Sequence, residues 1–158
     1  MMRVWRICQA ERAAAAFSGE GSRRYAGRWH HAGVAVIYTA EALSLAALEM
    51  LAHFDRDLDP GRFVVFAVDI PSALPVRRLT PAQLPNNWRD FPAPEETRDL
   101  GTTWVKAAKA VGLIVPSALI PQERNVLLNP AHADFAKLHI GPPEAFAFDP
   151  RLTRQPRQ

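Results

Sequence analysis

One carboxylate stands in an unusually apolar setting. From Ala42 to Ala52 the chain reads ALSLAALEMLA, in which Ser44 and Glu49 are the polar residues. A helix apolar nearly all round is expected to be buried nearly all round. An unpaired carboxylate there is costly, so Glu49 needs a partner or a chemical task. It is a structural glutamate paired to an arginine, a glutamate on a narrow exposed edge, or the carboxylate of a site. A second group is Arg23-Arg24-Tyr25-Ala26-Gly27-Arg28-Trp29. Gly27 permits close backbone approach, Arg28 carries a fork that grips phosphate, and the aromatic neighbours suit stacking on a ring. The same residues also fit a solvated basic loop anchored by Trp29. Tyr38 ends an apolar strand just before the Glu49 helix. Ser117 follows Pro116 at another strand end, where binding clefts often form. Each of these also fits a plain core or turn role. His30, His31 and His53 lack a well-spaced third ligand, so no metal site is expected. No Walker loop, GxGxxG or GxSxG elbow occurs.

The elements that must position these residues are short. Residues 2–7 alternate as a strand, with Val4 and Arg6 on one side and Trp5 and Ile7 on the other. Residues 10–17 are Ala-rich and helical in pattern, and Ser18 to Gly33 form a long polar loop. Loops of that length in compact domains are often functional. Residues 34–39 form a central apolar strand, and Thr39 is placed to cap the next helix, which extends to about Phe54. Residues 62–70 are the clearest buried strand. A proline-punctuated stretch containing Trp88 follows. Residues 102–111 read as a helix stopped by Gly112, and 113–115, 123–128, 135–140 and 145–148 as strands. The mixture is α+β: one domain over 1–150, with a mixed or split sheet and flanking helices, and a flexible basic tail over 151–158.

Composition narrows the function classes. The chain has 158 residues, 48% of them hydrophobic and 22% charged, which suits one globular domain. A single cysteine, Cys8, excludes an internal disulfide. The first 30 residues hold no apolar signal core, and no run approaches the about 18 apolar residues of a membrane span. A cytoplasmic protein without a membrane partner is expected. The formal charge is +3, but it is unevenly placed. Residues 1–31 hold six arginines against two glutamates, residues 32–150 hold ten basic and fourteen acidic groups, and the tail holds three arginines. This distribution favours a local anion site over a broad nucleic-acid face.

The ordered blocks Trp5-Arg6-Ile7, Ala26-Gly27-Arg28-Trp29, Val36-Ile37-Tyr38-Thr39-Ala40-Glu41 and Leu45-Ala46-Ala47-Leu48-Glu49 resemble the RES-domain family. Val115-Pro116-Ser117-Ala118 and Glu123-Arg124-Asn125-Val126-Leu127-Leu128-Asn129-Pro130 extend the likeness over about residues 3–140. The sequence departs at Ala26, where the family pattern suggests glycine, and at His30, where it suggests asparagine.

The resemblance implies a bacterial toxin with an ADP-ribosyltransferase-like fold that consumes NAD as substrate without a metal. It implies Arg28 and Glu49 as the core of the site, with Arg6, Tyr38 and Ser117 binding the dinucleotide. Cleaving the nicotinamide–ribose bond builds positive charge on the ribose, which a nearby carboxylate stabilises. Arg28 and Arg6 would clamp the pyrophosphate, Tyr38 would pack the nicotinamide or ribose, and Ser117 would hydrogen-bond the nicotinamide-ribose portion. The acceptor is water or phosphate on this reading, and a protein on the alternative. A third alternative is a non-enzymatic module that binds nucleic acid through the basic N-terminal loop. The resemblance also implies a cognate helix-turn-helix antitoxin of the Xre type in a hetero-oligomer, with DNA reached only through that partner.

Overall fold

The computed structural model describes residues 1–53 and 61–153. Its centre is a mixed sheet. The strands are β1 (Met2–Gln9), β2 (Ile37–Ala40), β3 (Phe63–Ile70), β4 (Val76–Arg78), β5 (Gly112–Pro116), β6 (Arg124–Leu128), β7 (His139–Ile140) and β8 (Glu144–Phe146). They lie in the order β4-β5-β6-β2-β1-β3-β7, and β8 also pairs with β3. The β4–β5 pair is parallel and the others are antiparallel. The helices are α1 (Glu20–Arg24), α2 (Leu43–His53), α3 (Glu95–Ala107) and α4 (Pro150–Thr153), with 3-10 turns at Ala10–Ala15, Pro81–Gln83 and Phe135–Lys137. Helix α3 lies in the connection between parallel β4 and β5, which such a pair requires.

The sheet is continuous but not uniform. β1 pairs with β3 along its full length, from Met2↔Ile70 to Gln9↔Phe63. Its register with β2 holds one pair, Trp5↔Ala40. β2 in turn pairs with β6 through all four of its residues. The two halves of the sheet therefore part between β1 and β2, and the expected split is located there.

Register and alternation decide which residues share a face. Ala40, Asn125, Tyr38, Leu127, Leu113 and Val115 follow one another across one face. Helix α3 covers part of that face through Trp104, in a cluster with Trp29, Leu113, Val115 and Leu127. Helix α2 covers the adjoining part through Leu45 and Ala46, against Ile7, Ala40 and Val65. The opposite face carries Val4, Ile37, Val68, Ile114, Val126 and Leu128.

Several sequence expectations change. Helix α2 is not buried all round: Leu45 and Ala46 are buried, but Ser44 is exposed and Leu48 is 42% exposed. It packs on the sheet along the side that carries Leu45 and Ala46. Thr39 lies inside β2 and donates its hydroxyl to Val126 O at 2.6 Å, so it caps nothing. Helix α3 begins at Glu95, earlier than expected, and ends at Ala107. Ala108 adopts a left-handed conformation (φ 50°) and stops it, while Gly112 opens β5. The Ser18–Gly33 loop contains α1, and residues 135–140 form a 3-10 turn followed by the two residues of β7. Phe54 lies outside the described residues.

Gly101 sets the approach of α3 to the site loop. A Cβ there would stand 1.7 Å from the Trp29 carbonyl oxygen. Alanine normally favours a helix over glycine by about 1 kcal/mol. Here that gain is outweighed by overpacking of about 1–3 kcal/mol or more. Gly101→Ala is expected to lower the melting temperature by about 5 °C or more. Gly21→Ala, in α1 with nothing within 4 Å of the added carbon, is expected to leave it unchanged or raise it. Calorimetry on the two variants checks both outcomes.

Candidate functional site

A cleft of about 920 Å³ opens where β1 parts from β2. Its walls include Arg6, Arg28, Tyr38, Glu49, Arg89, Arg98 and Asn125. A smaller hollow of about 160 Å³ beside Trp104 and Leu113 contains none of the expected site residues. Four of the five expected residues thus line one cleft, and the fifth, Ser117, sits just behind it.

Glu49 is brought there by α2, which follows β2 closely. Its Oε1 accepts hydrogen bonds from Ser117 Oγ at 2.8 Å and Asn125 Nδ2 at 2.7 Å. Ser117 is wholly buried. Its oxygen accepts two backbone N–H groups, from Leu119 and Ile120, both at 3.1 Å. Those donors orient the hydroxyl so that its proton goes to Glu49. Ser117 therefore positions the carboxylate rather than facing the open cleft. Oε2 has no hydrogen-bond partner among the described residues.

The arginines are held by backbone carbonyls. Arg28 Nη1 donates to Trp88 O at 2.8 Å and Asp90 O at 2.7 Å, which uses both of its hydrogens. Nε and Nη2 remain for another acceptor. Burial lowers the Arg28 pKa, and the nearby Glu49 charge opposes that shift. Arg6 Nη1 donates to Tyr38 O at 3.0 Å, across the parting strands. Its Nε is buried without a partner, and burial lowers its pKa. Arg98 Nε donates to Gly27 O at 3.1 Å, and Arg89 Nε to Ala118 O at 2.6 Å. Among the described residues none of these four arginines forms an ion pair with a carboxylate. Arg3 is committed to Asp69 at 2.8 Å, and Arg23 stands 3.7 Å from Glu20. The N-terminal charge thus divides, with Arg6 and Arg28 reaching the cleft.

Tyr38 and His30 form a fixed pair. The carbonyls of Ser22 and Tyr25 lie 2.8 and 2.9 Å from His30 Nε2, which places the ring proton on that nitrogen. Nδ1 then accepts the Tyr38 hydroxyl at 2.6 Å, and Trp29 N donates to the Tyr38 oxygen at 3.3 Å. Burial lowers the His30 pKa and raises that of Tyr38, so both are neutral near pH 7. A Cβ on Gly27 would lie 2.6 Å from the Tyr38 oxygen and 2.7 Å from His30 Cε1, which explains the glycine. Ala26 has no positive φ, so an alanine is accommodated there without strain.

Asn125, Arg89 and Arg98 were not expected at the site. Asn125 lies within the Glu123–Pro130 block, where strand alternation places it on the face below α2. Arg89 comes from the proline-punctuated stretch and Arg98 from the unforeseen first turn of α3, so neither carries a local signal. Three buried side-chain atoms lack a partner among the described residues, and two of them, Arg6 Nε and Asn125 Oδ1, belong to cleft residues. Unpaired buried groups are costly. Among the described residues no group of three or more His, Cys, Asp or Glu side chains is placed to hold a metal ion. No described helix is long and apolar enough to cross a membrane.

The RES domain model matches residues 3–149. Toxin Res of Yersinia enterocolitica serotype O:8 is 42% identical over 152 residues, covering 96% of this chain and 99% of that protein. The Prs ADP-ribosylating toxin of Sphingobium sp. strain YBL2 is 32% identical over 155 residues, covering 96% of each. Among solved structures, the M. tuberculosis MbcT–MbcA toxin–antitoxin complex aligns with a TM-score of 0.72 at 20% identity. That alignment spans 96% of this chain and 86% of the other, and it shows a shared fold. The single α+β domain with a parted mixed sheet is that fold. With a family model spanning nearly its whole length and relatives of this identity, the chain belongs to the RES domain toxin family.

Proposed function

We propose that the protein is the toxin of a toxin–antitoxin pair and depletes NAD by cleaving its nicotinamide–ribose bond, with water or phosphate as acceptor. The observation that carries this is the Glu49 carboxylate, fixed by Ser117 and Asn125 in a cleft with four arginines that form no ion pair with a carboxylate among the described residues. A pyrophosphate is the anion such forks recognise best. Arg6, with its unpaired Nε, and Arg28, with Nε and Nη2 free, would hold it. Glu49 would stand against the positive charge that develops on the ribose as nicotinamide leaves. Its free Oε2 is the oxygen available for that charge or for a ribose hydroxyl. Preorganisation supports the role: the oxygen is held before substrate arrives, so little rearrangement is needed in the transition state. Tyr38, with its proton committed to His30, would serve as a rigid wall rather than as a proton donor.

A second reading is transfer of ADP-ribose to a protein. The name of the Sphingobium relative favours it, and it uses the same residues with a different acceptor. For either reaction we propose a cognate helix-turn-helix antitoxin that covers the cleft, cytoplasmic action, and no direct contact with DNA. The toxin–antitoxin neighbour in the MbcT–MbcA structure supports the partner.

Glu49→Gln keeps an acceptor for Ser117 and Asn125 but removes the charge. It is expected to lower kcat for nicotinamide release by about a hundredfold or more with an unchanged melting temperature. Equal rates in the two proteins would overturn the proposal. Adding phosphate distinguishes the acceptors, because phosphorolysis yields a phosphorylated ADP-ribose. Labelled NAD appearing on a protein in lysate would establish the second reading instead. Arg6→Gln is expected to raise KM for NAD by about tenfold, from loss of one charge-assisted contact. Initial rates over a range of NAD concentrations check this.

A further inference from the structure

Arg89, Phe91, Pro92 and Ala93 line one wall of the cleft, and Phe91 is 93% exposed. A single exposed apolar residue is ordinary on a surface. Phe91 differs in how its segment is held. Arg28 Nη1 binds the carbonyls of Trp88 and Asp90, so the backbone is tied immediately before Phe91. Arg89 ties the same segment to Ala118 O at 2.6 Å and reaches Leu119 O at 3.4 Å. Ala118 follows Ser117, whose hydroxyl holds Glu49. The segment is therefore clamped between Arg28 and the support of Glu49. Phe91 thus stands on the cleft wall next to these two anchors, with its ring exposed.

We infer that Phe91 stacks on the nicotinamide ring and determines how tightly the nicotinamide half of the substrate is held. This rests on the NAD reading proposed above. Before cleavage the ring is a pyridinium cation, which an aromatic face attracts. As the ribose–nitrogen bond breaks, its electron pair moves to the ring nitrogen and the positive charge passes to the ribose. The ring becomes neutral, and its attraction to Phe91 weakens. Phe91 thus favours the bound substrate over the transition state. Such a residue acts on KM, and its loss leaves kcat unchanged or slightly raised. It also lets the neutral product leave more readily than the cationic substrate.

The test compares wild type, Phe91→Ala and Phe91→Trp in NAD cleavage and in calorimetric binding of NAD, ADP-ribose and 1-methylnicotinamide. Phe91→Ala is expected to raise KM for NAD about tenfold, within the range known for base–aromatic stacking, with kcat within about twofold of wild type. NAD and 1-methylnicotinamide binding should weaken, ADP-ribose binding should not change, and Phe91→Trp should restore the wild-type KM. The inference is overturned if KM is unchanged, if kcat falls as steeply as kcat/KM, or if ADP-ribose binding weakens equally. A wild-type protein that neither binds nor cleaves NAD overturns the functional reading and this inference together. Normal NAD cleavage that is indifferent to Phe91 overturns this inference alone.

Discussion

Everything at the site follows from the parting of β1 and β2 after the single pair Trp5↔Ala40. Strands in a sheet normally satisfy each other's backbone groups, and a buried carbonyl left unpaired is costly. Parting them exposes the Tyr38 carbonyl, and Arg6 Nη1 reaches across from β1 to bond it. One arginine thus bridges the opening. The full-length pairing of β1 with β3, and of β2 with β6, keeps each half of the sheet rigid. The gap is held open by two stable ledges rather than by a soft loop.

The carboxylate depends on this arrangement. Because α2 follows β2 closely and packs on Ile7, Ala40 and Val65, Glu49 is delivered beside the opening. Asn125 is paired with Ala40 in register, so the strand next to β2 supplies one of the donors to Glu49. Ser117, at the turn after β5, supplies the other. Two elements remote in sequence therefore converge on one oxygen. The arginines are arranged on the opposite principle. They are anchored by backbone carbonyls and form no ion pair with a carboxylate among the described residues, an arrangement that suits the proposed binding of an anion.

Glu49 was legible in the sequence, although one premise was inaccurate. An almost wholly apolar helix is expected to be buried on all sides, yet Ser44 and Leu48 are exposed. What singled out Glu49 was the rarity of a carboxylate in that run, and its buried oxygen does have dedicated donors. Gly27, Arg28, Tyr38 and Arg6 were visible because loops rich in glycine and arginine, and charges within strands, depart from local pattern. Ser117 lies at its strand end, where burial places it behind the carboxylate and in contact with Glu49. Arg89, Arg98 and Asn125 were hidden because their roles arise from contacts across about 30 to 76 positions of chain. Local periodicity carries no information about such contacts. The C-terminal end of α3 was misplaced because a left-handed Ala108, rather than a glycine, stops it.

On the proposed function, Ser117 works through Glu49, holding one carboxylate oxygen so that the other meets the substrate. A double-mutant cycle on kcat for nicotinamide release tests this directly. The account predicts that Ser117→Ala lowers kcat by about tenfold in the wild-type background and has no further effect in Glu49→Gln. Equal losses in both backgrounds would contradict it, because Ser117 would then be acting on the substrate independently of the carboxylate.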